Sequence, residues 1–248
     1  MVISNNYYRV VTMEDMGILE FTDVFNGLKD SALSCKSINS INSFFAVENL
    51  YRSATKEIIT KLENLKSEFM HLNNRNPIYQ INTRIKTPKS IMAKLNKLGF
   101  ELSVESARAN LTDIAGVRVI CFYIDDIYQI TDLITSQENM KVIRISDYIK
   151  NPKPNGYRSF HMIVTVPVYM SGRKEFVNAE IQIRTVAMNF WASLEYELSY
   201  KLDHVKNEDV TRELKDCADV ISGQDIRMQN LHNIEIHAKR TINHDPGI

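Results

Sequence analysis

The order in which the sequence changes texture predicts an α+β fold. A long amphipathic helical stretch comes first, a middle region mixes β-branched strands with short helices, and a charged helical tail follows. The middle region carries five strand-like segments, which predicts a mixed sheet covered by helices. The expected parts are a helical flank over 1–75, the mixed domain over 76–204, and a C-terminal helix with a frayed tail over 205–248. A chain of 248 residues can bury a large core in one or two compact units.

The elements are read in order. Met13 to Leu33 has mixed apolar spacing and is read as helical. In Ile41 to Leu72 the residues Phe45, Leu50, Ala54, Ile58, Leu62, Leu65, Phe69 and Leu72 recur at helical spacing, an apolar stripe. Asn73, Asn74, Asn76 and Pro77 end it. Residues 78–86 read as extended. Thr87 then stands at an N-cap with Pro88 at the first helical position. Ile91, Leu95 and Leu98 form the buried stripe of that helix and Gly99 closes it. A short helix is expected near 103–110, and Gly116 to Ile124 is a buried strand by its β-branched and aromatic content. Asp125 and Asp126 open a helix to about Ser136. Strands follow at 140–145 and 159–167, separated by a loop at 147–158. In Lys174 to Arg184 the residues Val177, Ala179, Ile181 and Ile183 alternate with Asn178, Glu180, Gln182 and Arg184. Val186 to Lys201 returns to helix with Phe190, Trp191, Leu194 and Leu198 apolar. The tail is helical from about Asp209 to Ile236, and the last ten residues are expected to fray.

Composition excludes several classes. Hydrophobic residues are 44% and charged residues 24%, which rules out a disordered or fibrous chain. Lys+Arg and Asp+Glu are both 30, so any anion binding must come from local clustering. The cysteines, Cys35, Cys121 and Cys217, are odd in number and far apart, which argues against a disulfide framework. There is no signal-peptide pattern and no apolar run long enough for a membrane span, so the cytoplasm is the expected location.

Three constellations carry chemistry. Arg84 and Lys86 are two apart on an extended segment and point the same way. Ser90 and Lys94 are four apart on one helical face. Two cations near a helix N-terminus with a hydroxyl in its first turn suit a polyphosphate, though a solvated basic face has the same pattern. Asp113, in LTDIAGVR, precedes a buried strand that contains Arg118. It reads as a turn former or as a magnesium ligand, with Glu180 the natural second carboxylate. Glu180 could instead pair with Arg184 along its strand face. The run DYIKNPKPNGYRSFH, Asp147 to His161, holds the third. Pro152 and Pro154 stiffen it, and Asn155-Gly156 supplies a tight turn. Tyr157 can stack on a base, while Lys150, Lys153, Arg158 and His161 supply donors to phosphate. The P-loop, dinucleotide-fold, zinc-protease and nucleophile-elbow motifs are all missing, and His244-Asp245 lies in the tail before a proline.

In order along the chain, RIKTPKSIMAK, LTDIAGVRV, DYIKNPKPNGYRSFH and EIQIRTVAMNFWASLEYELSYK resemble the segments of the RelA/SpoT-type (p)ppGpp synthetase domain. The match is most similar to the small, stand-alone alarmone synthetases and runs from about Asn76 to Lys201. The resemblance implies a nucleotidyltransferase-like synthetase domain. It implies transfer of pyrophosphate from ATP to the 3′-hydroxyl of GDP or GTP, releasing AMP. Arg84 and Arg118 would flank adenine, and Lys86, Ser90 and Lys94 would hold ATP phosphates. Asp113 and Glu180 would ligate Mg²⁺, with Glu180 also placed to take the 3′-hydroxyl proton. On the acceptor, Tyr157 would stack on guanine and Asn189 would reach its edge. Arg144, Lys150, Lys153, Asn155, His161 and Gln182 would complete the GDP/GTP site. The helical flanks imply a homotetramer, with 45–72 and 209–236 either making that contact or covering the sheet. No segment resembles the hydrolase or regulatory domains of long relatives. In those relatives the position of Ser146 is often basic, and charge there is linked to the choice between GDP and GTP. Two other readings stay open. The same transfer could run to an adenine nucleotide or a tRNA 3′ end, or the fold could be a non-catalytic nucleotide or RNA-binding regulator.

Overall fold

The sheet has the strand order β1-β2-β5-β4-β3, with β1 at Ile78–Ile85, β2 at Ala115–Cys121, β3 at Lys141–Asp147, β4 at Phe160–Met170 and β5 at Arg173–Thr185. β2 and β5 run parallel, and every other neighbouring pair is antiparallel. The helices are α1 (Cys35–Asn73), α2 (Pro88–Leu98), α3 (Val104–Asn110), α4 (Ile124–Thr135), α5 (Val186–Lys201) and α6 (Glu208–Asn243). This computed structural model describes the backbone of residues 35–201 and 208–243, and the side chains of 47–198 and 209–238. The chain divides into two compact units, Met1–Ala46 and Val47–Ile248, and all five strands belong to the second. The helix expected over Met13 to Leu33 lies outside the described residues.

Each element follows from local chemistry. Leu50, Ala54, Ile58, Leu62 and Leu65 of α1 are buried, as the stripe predicts, together with Tyr51. The stripe fails at its end, where Leu72 is 68% exposed. The face over 50–65 is thus spent on this unit's own core. Thr87 caps α2 by accepting the Ser90 N–H at 3.3 Å, and Gly99 ends it at φ 73°. Leu98 is 50% exposed, because α2 is short and only Ile91 and Leu95 face inward. The strand expected to reach Ile124 stops at Cys121. Asp126 accepts the Tyr123 N–H at 3.1 Å, which starts α4 instead. β4 and β5 extend beyond their expected ends into a long hairpin closed by Ser171-Gly172, with Gly172 at φ 77°. α6 runs to Asn243, past its expected end at Ile236.

The two faces of the sheet differ, and that difference places the site. Val117, Val119, Met162, Val164, Ile181 and Ile183 form an apolar face, each at most 1% exposed. α4 packs on β2 and β5, burying Ile127, Ile130 and Ile134. On the opposite face, strand register lines up two polar rows. Arg84, Gly116, Glu180, Ile163 and Arg144 form one. Asn82, Arg118, Gln182, His161 and Ser146 form the next.

Two polar junctions tie the helices to the sheet. Arg75, just past α1, donates to both oxygens of Asp126 at 2.8 and 2.6 Å, and its guanidinium lies 5.2 Å from the Tyr123 ring centre. Tyr123 in turn stacks on His232 of α6 at 4.0 Å. At the other junction Thr185 caps α5 by accepting the Met188 N–H at 3.1 Å, and its hydroxyl donates to Asp225 of α6 at 2.6 Å. Asp126 is only 3% exposed, so removing its cation leaves a buried carboxylate without its counter-charge. Arg75→Leu is expected to lower unfolding stability by about 3 kcal/mol in urea titration. Thr185→Ala is expected to cost about 1–2 kcal/mol through the lost cap.

Candidate active site

A cavity of about 200 Å³ opens on the polar face, lined by Lys94, Thr112, Asp113, Arg144, Ser146, Tyr148, Lys153, His161, Ile163 and Glu180. Asp113 reaches it from the loop before β2, and Glu180 from β5. The parallel pairing sets Gly116 opposite Glu180, so no side chain stands between Glu180 and Arg84 in their row.

Asp113 is held by two lysines. Lys86 Nζ donates to its Oδ2 at 2.8 Å and Lys94 Nζ at 2.6 Å. Its Oδ1 is buried and has no hydrogen-bond partner, which leaves one oxygen for a ligand. Burial pushes the Asp113 carboxyl up, but the bonds and charges of the two lysines outweigh it and hold the group below its ordinary range. Burial likewise pushes Glu180 up. His161 and Gln182 bring it below the ordinary range, against the repulsion of the nearby Asp113.

Glu180 is held from the other side by His161 and Gln182. His161 Nδ1 lies 2.9 Å from its Oε1, and Gln182 Nε2 donates to its Oε2 at 2.8 Å. Tyr157 Oη lies 2.8 Å from His161 Nε2. Lys153 sits 4.7 Å from the ring centres of both Tyr148 and Tyr157, and Tyr148 also meets His161 edge-on. The loop is thus an aromatic cage with a cation inside it.

The residues expected from sequence divide by place. Asp113, Glu180, Lys94, Arg144, Lys153 and His161 line the cavity, Lys86 reaches it through Asp113, and Gln182 through Glu180. Arg84 and Arg118 lie on the same sheet face, and the Nε of Arg118 is buried without a partner. Asn189 of α5 likewise keeps a buried, unpartnered Oδ1. Ser90 pairs with Thr87 in the α2 cap. Asn155 accepts the Tyr157 N–H at 3.2 Å and so shapes the turn. Lys150 lies outside the cavity, over the Tyr128 ring and 3.8 Å from Asp147. Arg158, read as a phosphate donor, turns away to α6 and donates to the carbonyl of Ala218 and to Asp219. Sequence reasoning passed over Tyr148 and read Arg184 only as a possible partner of Glu180, whereas it donates to Tyr157 and Gln182. Tyr148 belongs to the same aromatic-basic run, and Arg184 continues the alternation of Glu180 and Gln182. Both signals were in the sequence.

The loop rests on α6. Trp191 of α5 donates to the Leu214 carbonyl at 2.8 Å and packs with Ala218, Tyr157 and Ile221. Gly156 has φ 87°, and a Cβ there would stand 2.5 Å from the Ala218 Cβ. Only glycine satisfies both constraints.

A family model described as "Region found in RelA / SpoT proteins" matches residues 83–205, which span every predicted site residue. GTP pyrophosphokinase YwaC of Bacillus subtilis is 40% identical over 179 residues, 72% of this chain and 85% of that protein. This chain belongs to the RelA/SpoT family of GTP pyrophosphokinases. Solved structures agree. The small alarmone synthetase 2 of B. subtilis superposes with a TM-score of 0.70 at 38% identity, over 77% of this chain and 98% of that one. Small alarmone synthetase 1 of B. subtilis, bound to its product pppGpp, gives 0.69 at 32% identity, over 74% and 93%. The five-stranded α+β core is therefore that of this RelA/SpoT group.

Two outcomes are expected from the geometry. Gly156→Ala should destabilise the protein by about 2 kcal/mol, from the positive φ and the clash together. Ala218→Gly should relieve only the clash, so the pair should show a favourable coupling of about 1 kcal/mol in a double-mutant cycle. The second concerns acid. The folded values of Asp113 and Glu180 lie below their unfolded ones. Their contribution to stability is therefore complete above a pH of about 4 and is lost as the pH falls through the lower folded values. Denaturation midpoints measured against pH should drop less steeply below about pH 4 in Asp113→Asn than in the wild type.

Proposed function

We propose that this protein transfers pyrophosphate from ATP to the 3′-hydroxyl of GDP or GTP, forming ppGpp or pppGpp and releasing AMP. One observation carries the reading. Two carboxylates, one from the loop before β2 and one from β5, face a single cavity, with lysines on one side and a cation-filled aromatic cage on the other. That is a two-substrate site with a donor half and an acceptor half. A RelA/SpoT relative solved with its product pppGpp supports the acceptor class.

In this reading Arg84 and Arg118 flank the adenine, and Lys86, Ser90 and Lys94 hold the ATP phosphates. Tyr157 stacks on guanine and Asn189 meets its edge. Arg144, Lys150, Lys153, Asn155, His161 and Gln182 complete the acceptor site. The 3′-oxygen attacks the β-phosphorus of ATP, the bond from that phosphorus to the α–β bridging oxygen breaks, and AMP leaves. Glu180 is the carboxylate placed to accept the hydroxyl proton. Transfer of this kind depends on positioning and charge neutralisation, which the lysines and arginines supply.

The donor set fits Mg²⁺. Asp113 offers an unpartnered oxygen, and Glu180 keeps a free lone pair on each oxygen it uses. Asp113 and Glu180 would hold it, and when bound it would neutralise charge developing on the phosphates. Among the described residues no cluster of three or more His, Cys, Asp or Glu exists to bind a metal without the substrate, which suits a cation carried in with ATP.

We also propose a homotetramer. On α5, Phe190 and Leu194 are exposed at 57% and 47%, and on α6 Val220, Leu231 and Ile234 are exposed at 66%, 58% and 64%. Apolar surface of that extent on two neighbouring helices suits subunit contact. No helix among the described residues is long and apolar enough to cross a membrane, and we assign the protein to the cytoplasm.

The test supplies ATP and Mg²⁺ with GDP, GTP, ADP or a tRNA, and identifies products by mass. AMP should appear with ppGpp or pppGpp, and with neither of the other acceptors. Product from none of the guanine nucleotides would refute the assignment. Asp113→Asn and Glu180→Gln should each lower turnover by about a hundredfold or more while the circular dichroism spectrum stays that of the folded protein.

A further inference from the structure

Arg184 lies on the acceptor side of the site and has no role of its own in the transfer proposed for this protein. It is 5% exposed, and the three acceptors it reaches are all neutral: Ser159 Oγ at 3.3 Å, Tyr157 Oη at 2.5 Å and Gln182 Oε1 at 3.2 Å. A guanidinium buried among neutral groups is costly, so the fold retains it against its own stability.

Its bonds have a direction. Arginine carries donors only, so Tyr157 Oη and Gln182 Oε1 must both accept, and both do so from the same nitrogen, Nη2. The Tyr157 hydroxyl hydrogen is then free for His161 Nε2. With Nε2 accepting, a neutral His161 carries its hydrogen on Nδ1 and gives it to Glu180 Oε1. On the other arm the Gln182 carbonyl faces Arg184, which turns its NH₂ toward Glu180 Oε2. Two arms therefore leave one nitrogen and end on the two oxygens of one carboxylate, closing a ring of five side chains. Arg184 also lies 5.1 Å from the centre of the Tyr157 ring, against its body as well as its hydroxyl.

We infer that Arg184 is the positioning residue of the acceptor site, fixing the Tyr157 ring and the Glu180 carboxylate together through a single nitrogen. The reaction needs the acceptor base and the 3′-hydroxyl in one fixed relation. The base is set by Tyr157 and the hydroxyl by Glu180. A common anchor makes the two settings one, and the planar guanidinium holds an angle between its two acceptors that an ammonium on a flexible stem does not. The inference rests on the reading of Tyr157 as the ring that stacks on the acceptor base.

The chain has a single tryptophan, Trp191, whose ring centre lies 6.5 Å from that of Tyr157. Its fluorescence gives GDP affinity without turnover. Arg184→Lys should raise the Kd for GDP about tenfold and leave the Kd for the non-hydrolysable ATP analogue within about twofold. Tyr157→Phe keeps the ring and removes only the hydroxyl, so it serves if the Arg184 variant does not fold. It should raise the GDP Kd several-fold alone and add little to Arg184→Lys, because both changes cut the same arm. Additive effects, equal weakening of both nucleotides, or an unchanged GDP Kd in folded variants would each overturn the assignment. The ring is read separately by ¹⁵N NMR of the ligand-free protein, where His161 should be the Nδ1–H tautomer; the Nε2–H tautomer would overturn it. If the wild type binds no guanine nucleotide at all, the acceptor assignment fails, and the tautomer alone decides whether the ring exists.

Discussion

The parallel pairing of β2 with β5 is the constraint on which the site depends. It sets Gly116 beside Glu180 and Arg118 beside Gln182, and it carries the loop with Asp113 toward the same cavity. Parallel neighbours cannot be joined by a tight turn, so the chain between them must travel. It does so through α4, β3 and the loop that bears Tyr148, Lys153 and Tyr157, and it returns antiparallel in β4. The crossover demanded by one strand pair is therefore the segment that brings Tyr148, Lys153 and His161 to the cavity.

The cavity brings two carboxylates close enough to repel, and the surroundings keep both ionised by different means. Asp113 is compensated by charge, with two ammonium groups on one of its oxygens. Glu180 is compensated by dipoles and by a histidine. The asymmetry suits a site with two substrates. In the proposed transfer, the lysines that hold Asp113 are also those that the donor's phosphates would draw away. Glu180 depends on His161 and Gln182, whose partners Tyr157 and Arg184 lie one bond further on.

α6 supports this arrangement from outside. It stacks His232 on Tyr123, accepts the Thr185 hydroxyl at Asp225, and takes Gly156 and Arg158 against Ala218 and Asp219. A loop with two prolines and a positive-φ glycine would sample several conformations on its own. Held between α5 and α6, it presents Tyr157 in one. The same helix carries the exposed apolar residues Val220, Leu231 and Ile234 on its other side.

Much of this was legible in the sequence. Alternation separated the polar from the apolar face of β5, Thr87-Pro88 gave the start of α2, and Asn155-Gly156 gave the turn. Asp113 and Glu180 could be paired as two carboxylates near cationic groups, and both line one cavity. Such signals are local, and a backbone period or a cap is written in neighbouring residues. Leu98 and the exposed α5 residues escaped the reading because periodicity gives a face without saying what covers it. Arg158 was read as a phosphate donor because its charge was visible and its partner, sixty residues on, was not. Arg184 looked like a strand residue able to pair with Glu180, whereas the fold sends its donors to Tyr157 and Gln182. The sequence by itself determined the elements, their caps and which residue types could handle phosphate and metal. Only the tertiary structure decided which of them meet, because strand order and register bring together side chains that no local interaction connects.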